Sequence, residues 1–302
     1  MSNKNMIAIT VDIEDWYHLP SITGTPYSKY KDVPTFFNNW KSRYDYLRKP
    51  TERVLDMLQE LDIKATFFVV ADVVEHCPGL VEKISEGGHE IACHGLHHAC
   101  KINPRTKESL MSKAEFKTRT LQAKIILEKA SGLEVKGYRA PNAYVSGWMI
   151  DILEELGFKY DSSVSVNSFY NKTDSKLIGV NCSPYYPKHG RLDNGEVKRG
   201  IIEIPWPYFQ VFLRFPTAGG PILRFFGAQY ILQGLNQSLR KGDTIFYFHP
   251  IDMTEEGFPL NTSLKQKLFW LVKGISVENR VRNILRYSDK RICTVAELVN
   301  KY

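Results

Sequence analysis

The feature that most constrains this chain is an alternation along it. Short, continuous apolar runs recur, and between them lie segments whose apolar residues fall three and four positions apart. Met6–Val11, Ala65–Val70, His89–Cys93, Glu134–Tyr138, Phe158–Asp161, Ile201–Ile204 and Thr244–Phe248 read as buried strands. Helical spacing is expected over Thr51–Asp62 behind Pro50, on the Leu80, Val81 and Ile84 stripe that Gly87 and Gly88 stop, and around Lys107–Ala130. Further helices are expected over Met149–Leu156 and Pro221–Arg240, with two more patterns from Leu264. Parallel strands need long crossovers, so this alternation predicts a parallel sheet or barrel with helices outside. The stretch to about Lys49 reads as a polar, aromatic loop and residues 165–200 as an excursion without periodicity. No internal repeat and no Pro-, Gly- or Ser-rich linker divides the 302 residues, so a single domain is expected, a size α/β barrels reach.

Composition narrows the class. With 43% apolar and 24% charged residues the chain can bury a large core, which excludes wholesale disorder. The net charge of +7 suits an anionic partner, but the basic residues are scattered, so a solvated basic surface is the plain reading and nucleic acid is not expected. Five cysteines, an odd number with no Cys-x-x-Cys spacing, argue against a disulfide framework and a Cys₄ zinc site. Met1–Asn5 leads into too short an apolar stretch for a secretion signal, and no run approaches eighteen apolar residues. A cytoplasmic location is therefore expected, with at most peripheral contact at the inner membrane face.

In parallel α/β architectures chemistry gathers just past the carboxyl ends of the strands. Those positions carry Asp12, Glu14, Asp15 and Trp16, then His94, His97 and His98, then Arg139-Ala140-Pro141, then Trp206 beside Glu203, and finally His249. Carboxylates and neutral imidazoles form a donor set for Zn²⁺ or a neighbouring divalent ion. His94 and His98 stand four apart, so on one helical turn they would face the same way, with His97 able to compete. Each also has a plainer reading. Glu14 and Asp15 could cap a turn, Arg139 could make a surface ion pair, and His249 could be a satisfied strand-end histidine. Trp16, Tyr17, Tyr144, Trp206, Tyr208 and Phe209 could stack on sugar rings or pack in the core. Pro221–Tyr230, with Leu223, Phe225 and Phe226 near Arg214 and Arg224, reads first as a core helix and second as a membrane contact.

Taken in order, Thr10-Val11-Asp12 with nearby acids, Ala65-Thr66-Phe67-Phe68-Val69, Gly88-His89-Glu90-Ile91 with His94-x₃-His98, Arg139-Ala140-Pro141 and Phe248-His249-Pro250 resemble the polysaccharide deacetylases of the NodB-homology type. The resemblance runs from about residue 6 to 255, leaving a helical extension over about 260–302. Val11-Asp12-Ile13-Glu14-Asp15-Trp16 and Pro216-Thr217-Ala218-Gly219-Gly220 look like the branch associated with exopolysaccharide and surface-glycan loci. The resemblance implies a distorted (β/α) barrel that removes acetyl groups from sugars with one divalent ion, Zn²⁺ first. It implies Asp12 as general base, His94 and His98 as ligands, Arg139 as the residue holding the base, and His249 as the acid for the leaving amine. The family's second aspartate directly follows its base, where this chain has Ile13. The third ligand must then be Asp15 or Glu14, and Asp15 is preferred because aspartate is the family's usual ligand. Trp16, Pro141 and Trp206 are candidate substrate contacts, and a backbone N–H of the 138–142 turn is expected to aid the oxyanion.

The expected substrate is an N-acetylated sugar in surface-polysaccharide biosynthesis, nucleotide- or lipid-diphosphate-linked given the basic surplus. An allantoinase-like hydrolase of small cyclic amides and a non-catalytic glycan-binding module are the other readings.

Overall fold

Strand β1 (Ile7–Ile13) is the axis of the molecule, and all seven of its residues are buried. The structure, a computed structural model, describes residues 5–40, 45–257, 270–288 and 291–302. Strand β9 (Thr244–Phe248) pairs along residues 7–11 of β1. On the opposite edge β2 (Thr66–Val69) pairs with residues 10–13, while the short β10 (Ile292–Cys293) fills the remaining place beside Ile7 and Ala8. Beyond β2 follow β3 (Glu90–Cys93), β4 (Gly137–Tyr138), β5 (Tyr160–Asp161) and β6 (Ile202–Glu203), every pairing parallel. The eight-stranded sheet curls until Trp206, just past β6, meets Tyr247 of β9 with ring centroids 4.4 Å apart. The result is the distorted, single-sheet (β/α) barrel that the sequence implies.

The helices lie outside: α1 (Val33–Asn39), α2 (Arg48–Glu60), α3 (Val73–His76), α4 (Leu80–Glu86), α5 (Lys113–Ser131), α6 (Gly147–Glu155), α7 (Gly220–Leu239), α8 (Ile275–Ser288) and α9 (Val295–Val299). Side chains alternate across a strand. Ile7, Ile9, Val11 and Ile13 therefore join the core between sheet and helices, while Ala8 packs in the barrel interior with Phe68, Ala92, Ile202 and Tyr247. Thr10 and Asp12 follow Ala8 on that inner face.

Strand expectations hold to within a few residues, and Thr244–Phe248 is met in full. Helix α5 begins at Lys113, later than its apolar pattern suggests, because the Ser112 side chain caps it by accepting from the Glu115 N–H at 3.1 Å. The loop to Lys49 contains α1, started by Asp32 and Pro34. A small antiparallel hairpin, β7 (Tyr208–Gln210) and β8 (Arg214–Pro216), goes beyond the sequence reading. The tail contributes a strand as well as helices. Glu90 ties α9 down by accepting from Ala296 N–H at 3.0 Å and Thr66 Oγ1 at 2.5 Å. Part of the helical pattern expected from Leu264 lies outside the described residues.

Candidate active site

Strand parity brings the first two carboxylates together. Thr10, Asp12 and Glu14 are two apart and share the inner face, whereas Ile13 and Asp15 turn away from it. Asp12 meets the guanidinium of Arg139 at 2.5 Å. Arg139 is completely buried and is fixed by Thr10 Oγ1 at 3.1 Å, Ser162 O at 2.9 Å and Ser162 Oγ at 3.0 Å, with Phe68 stacked 4.0 Å below it. A buried arginine satisfied in this way is a fixed positive charge, which holds one carboxylate oxygen and leaves the other for chemistry.

His94 leaves the end of β3 and His98 follows in an irregular turn, not on a helix as expected; Gly95 permits the turn with φ +88°. His94 Nδ1 lies 2.7 Å from the carbonyl of Arg139, and His98 Nδ1 lies 2.9 Å from that of His18. A carbonyl only accepts, so both protons are assigned to Nδ1 and each Nε2 turns a lone pair inward. Both Nε2 atoms stand 3.0 Å from one oxygen, Glu14 Oε1. His94 Nε2 is within hydrogen-bond reach of that oxygen, whereas the buried His98 Nε2 has no hydrogen-bond partner. Three converging, water-excluded donors of this kind fit a divalent cation, and the carbonyls behind the imidazoles are the outer contacts that orient such ligands.

Asp15 has a different place, which corrects the preference for it as third ligand. Its carboxylate caps the short turn Trp16–His18 by accepting from the Trp16 N–H at 2.6 Å, and His18 Nδ1 accepts from the Asp15 N–H at 3.0 Å. Burial, together with Asp45 and Asp72, pushes its carboxyl up to about 7. Trp16 is likewise corrected. It is packed against Phe36, Trp40 and Tyr46 and does not line the cavity. Nor does Pro141, which lies beside Gly95, while its neighbours Ala140, Asn142 and Ala143 do reach the cavity. Trp206 lines it, its indole N–H donating to Ser162 O at 2.9 Å. Within the 138–142 turn the Arg139 and Ala140 amides are already committed, to Cys93 O at 2.9 Å and Ser163 Oγ at 2.7 Å, so neither is available to an oxyanion.

His249 stands across the cavity, its Nε2 3.8 Å from Asp12 Oδ2 and 3.7 Å from Glu14 Oε1. Behind it Asp252 lies 3.5 Å from Nδ1, and Arg224 3.5 Å from Asp252. Burial disfavours the imidazolium, but Glu14, Asp252 and Asp12 outweigh it and raise His249 to about 9. The imidazolium form is therefore favoured at this position. The cavity, about 260 Å³, is lined as well by Leu19, Pro20, Lys172, Pro221 and Trp270. A larger hollow of about 420 Å³ near Lys136, Lys159 and Lys198 lies at the other end of the strands and contains none of this acid–base set.

Sequence reasoning missed several supports. Asp72 accepts from His18 Nε2 at 2.9 Å, His97 Nδ1 at 2.8 Å and Tyr17 Oη at 3.1 Å, so His97 braces the site from behind instead of competing for a ligand place. Beneath Arg139, burial and the neighbouring Asp161 hold Glu203 well above the usual range, making it the protonated member of that pair. Asp252 was legible as the acid three residues past His249. Lys172 had no signal, because it comes from the aperiodic excursion.

Parallel strands curled about a His–His–Glu triangle, with an Arg-held aspartate and a histidine at their carboxyl ends, define a NodB-homology barrel. Residues 30–160 match the family model of the polysaccharide deacetylases. Residues 168–300 match a second model, a domain of unknown function, DUF3473. A peptidoglycan-N-acetylglucosamine deacetylase of Bacillus cereus is 25% identical over 160 residues, 47% of this chain and 54% of that one. Peptidoglycan-N-acetylmuramic acid deacetylase PdaA of Bacillus subtilis is 25% identical over 126 residues, 41% and 43% of the two. The chain thus spans about half the length of the curated relatives it matches. A solved Mycobacterium smegmatis structure, provisionally described as a polysaccharide deacetylase, superposes with a TM-score of 0.62 at 18% identity, covering 100% of this chain and 91% of that one. An allantoinase superposes at 0.59 with 14% identity, covering 99% and 91%. At these identities the structural likeness shows the fold alone.

Proposed function

We propose that this protein is a divalent-cation-dependent deacetylase that hydrolyses an N-acetyl group on a sugar or glycan precursor. The observation that carries the reading is the convergence of the His94, His98 and Glu14 donors on one point beside Asp12 and His249. A cation held by those three residues, Zn²⁺ by its donor set, would polarise an acetyl carbonyl and make water acidic. Asp12, pinned through one oxygen by Arg139, accepts the proton of the attacking water with the other. His249, held as imidazolium by its carboxylate neighbours, gives a proton to the departing amine, without which an amide nitrogen is a poor leaving group. Trp206 offers an aromatic face to the sugar ring. The names of the curated relatives support an N-acetylated glycan over a cyclic amide, for which the allantoinase likeness offers fold alone.

The test is acetate release with added Zn²⁺ from N-acetyl oligosaccharides and from nucleotide- and lipid-diphosphate-linked N-acetyl sugars. Asp12→Asn should lower turnover by roughly 10²-fold or more while the protein still binds one equivalent of metal. Allantoin hydrolysis without acetate release from any sugar would establish the cyclic-amide reading instead.

For the carrier we infer an anionic, diphosphate-linked precursor met in the cytoplasm or at the inner membrane face. The net charge of +7, the position of Lys172 on the cavity wall and the free state of all five cysteines support it. Basic groups near the mouth should speed association of such a substrate in a salt-dependent way. Equal turnover of an uncharged oligosaccharide and its diphosphate-linked counterpart, with no salt effect on either, would overturn it.

A further inference from the structure

An apolar surface lies alongside the mouth of the cavity, and the hydrolytic chemistry does not use it. At the turn between β7 and β8, Val211 and Phe212 are 63% and 80% exposed. On α7, Leu223 and Arg224 are buried as a core helix requires, but the next two residues, Phe225 and Phe226, are 52% and 59% exposed. Rings connect the two places. Phe212 meets Phe215 at 6.0 Å between centroids, Phe215 pairs with Phe209 across the hairpin, Phe209 meets Tyr230 at 5.9 Å, and Tyr230 meets Phe226 at 4.9 Å. Phe169, 56% exposed, extends the row by contact with Phe215 at 5.0 Å. Aromatic residues exposed in a connected row are far from the scattered singles that ordinary surfaces show.

The segment that carries most of the row is one-sided in charge. From Pro205 to Gly242 the chain has Arg214, Arg224, Arg240 and Lys241 and not one aspartate or glutamate. The hairpin is strapped along α7 by Gln237 bonding to the backbone of Gln210, and by Lys241 reaching Tyr208 Oη at 2.9 Å. Arg214, Arg240 and Lys241 therefore stand at the hairpin end of the apolar row. Apolar rings on a segment that carries exposed cations and no acids are complementary to an anionic lipid surface, where rings enter the headgroup boundary and cations meet phosphates. No helix of the described residues is long and apolar enough to cross a membrane, so such contact would lie on the surface.

We propose that the β7–β8 tip and the Phe225–Phe226 turn of α7 form a docking face for an anionic phospholipid bilayer. The face is continuous with the site, since Gly220, Pro221 and Arg224, at the start of the same helix, line the cavity. Helix α7 breaks at Gly227, whose φ of +76° is open to glycine and strained for other residues. The break sets the turn that bears both the cavity wall and the two exposed rings apart from the rest of the helix. Docking would hold the mouth close to the headgroup plane, where a glycan on a lipid carrier is presented.

The inference stands apart from the deacetylase reading, because its test contains no substrate. The protein is sedimented with phosphatidylcholine vesicles containing or lacking phosphatidylglycerol, at low and high salt, with its oligomeric state followed by analytical ultracentrifugation. We expect binding to the anionic vesicles, weakened by salt and by omission of phosphatidylglycerol. The double substitution Phe212→Ser with Phe226→Ser should weaken binding by roughly tenfold or more while leaving the melting temperature unchanged, both rings being exposed. Arg240→Glu, also exposed, provides a second variant and should weaken binding to the anionic vesicles only. Absence of vesicle binding by the unaltered protein, or equal binding by the double variant, overturns the proposal. So does a concentration-dependent dimer that the double variant abolishes without any vesicle binding, which would make the face an interface between copies.

Discussion

Glu14 and Asp15 are adjacent acids with opposite fates, and strand parity decides between them. Had β1 ended at Val11, as the apolar run suggests, neither residue would have a defined face. Pairing of Asp12 and Ile13 with Phe68 and Val69 extends the strand to Ile13 and directs Glu14 inward with Asp12. What sequence could not show is where pairing stops, since that depends on a partner far along the chain. Metal analysis after chelation and reconstitution should therefore separate the two residues. Glu14→Ala should lose stoichiometric binding, as should His94→Ala with His98→Ala. Asp15→Ala should retain the ion and lose about 1 kcal/mol of stability as an N-cap is removed. Retention by the double histidine variant would remove the metal centre from the proposal. His249→Ala should slow amide substrates more than activated esters, and equal loss on both would assign it a binding role instead.

At the scale of elements, runs with an apolar pattern were legible whatever their length, while pieces without one were not. The hairpin's strands are three residues each, and α1 buries only Val33 and Phe36, so neither shows a period, whereas α4, equally short, buries Leu80, Val81 and Ile84. The excursion over 165–200 forms no helix and no strand of the main sheet, as its lack of periodicity indicates, yet it supplies Lys172 to the cavity. His89, at the start of β3, has a structural part. Its Nδ1 accepts from the Ala65 N–H at 3.2 Å, and burial, with Lys64 adding to it, lowers the ring to about 4. A histidine whose folded value lies below its unfolded value of about 6.5 binds fewer protons when folded, so stability falls as pH drops through that window. Unfolding free energy should decrease by about 2 kcal/mol between pH 7 and 5 from this group. His89→Asn, which keeps an acceptor and does not titrate, should remove that part of the pH dependence in urea titrations. An unchanged slope would mean that other groups dominate acid loss.

For the whole molecule, the segment after residue 290 is part of the barrel instead of an appendage to it. β10 fills an edge of β1, Thr294 and Glu297 form a capping box, and Val295 and Leu298 are fully buried. Removing residues 291–302 should lower unfolding free energy by about 3–6 kcal/mol from those two side chains alone, a large share of ordinary domain stability. A truncated protein with an unaltered melting temperature would show instead a separable tail.

The placement of β1 also imposes an order in time. Its two edges are completed by strands that begin about 240 and 285 residues further along the chain. At ribosomal speeds of ~5–20 residues per second, the first of those partners emerges roughly 10–50 s after β1 does. Throughout that interval Ile7-Ala8-Ile9-Thr10-Val11, a flat β-branched segment without charge, has no native partner for residues 7 and 8 on either side. Asp12 and Glu14 ride on this strand, so the cluster of side chains at its end can settle only after the strand at 244–248 has been made, and until then the nascent chain offers an open strand edge to whatever shields such edges.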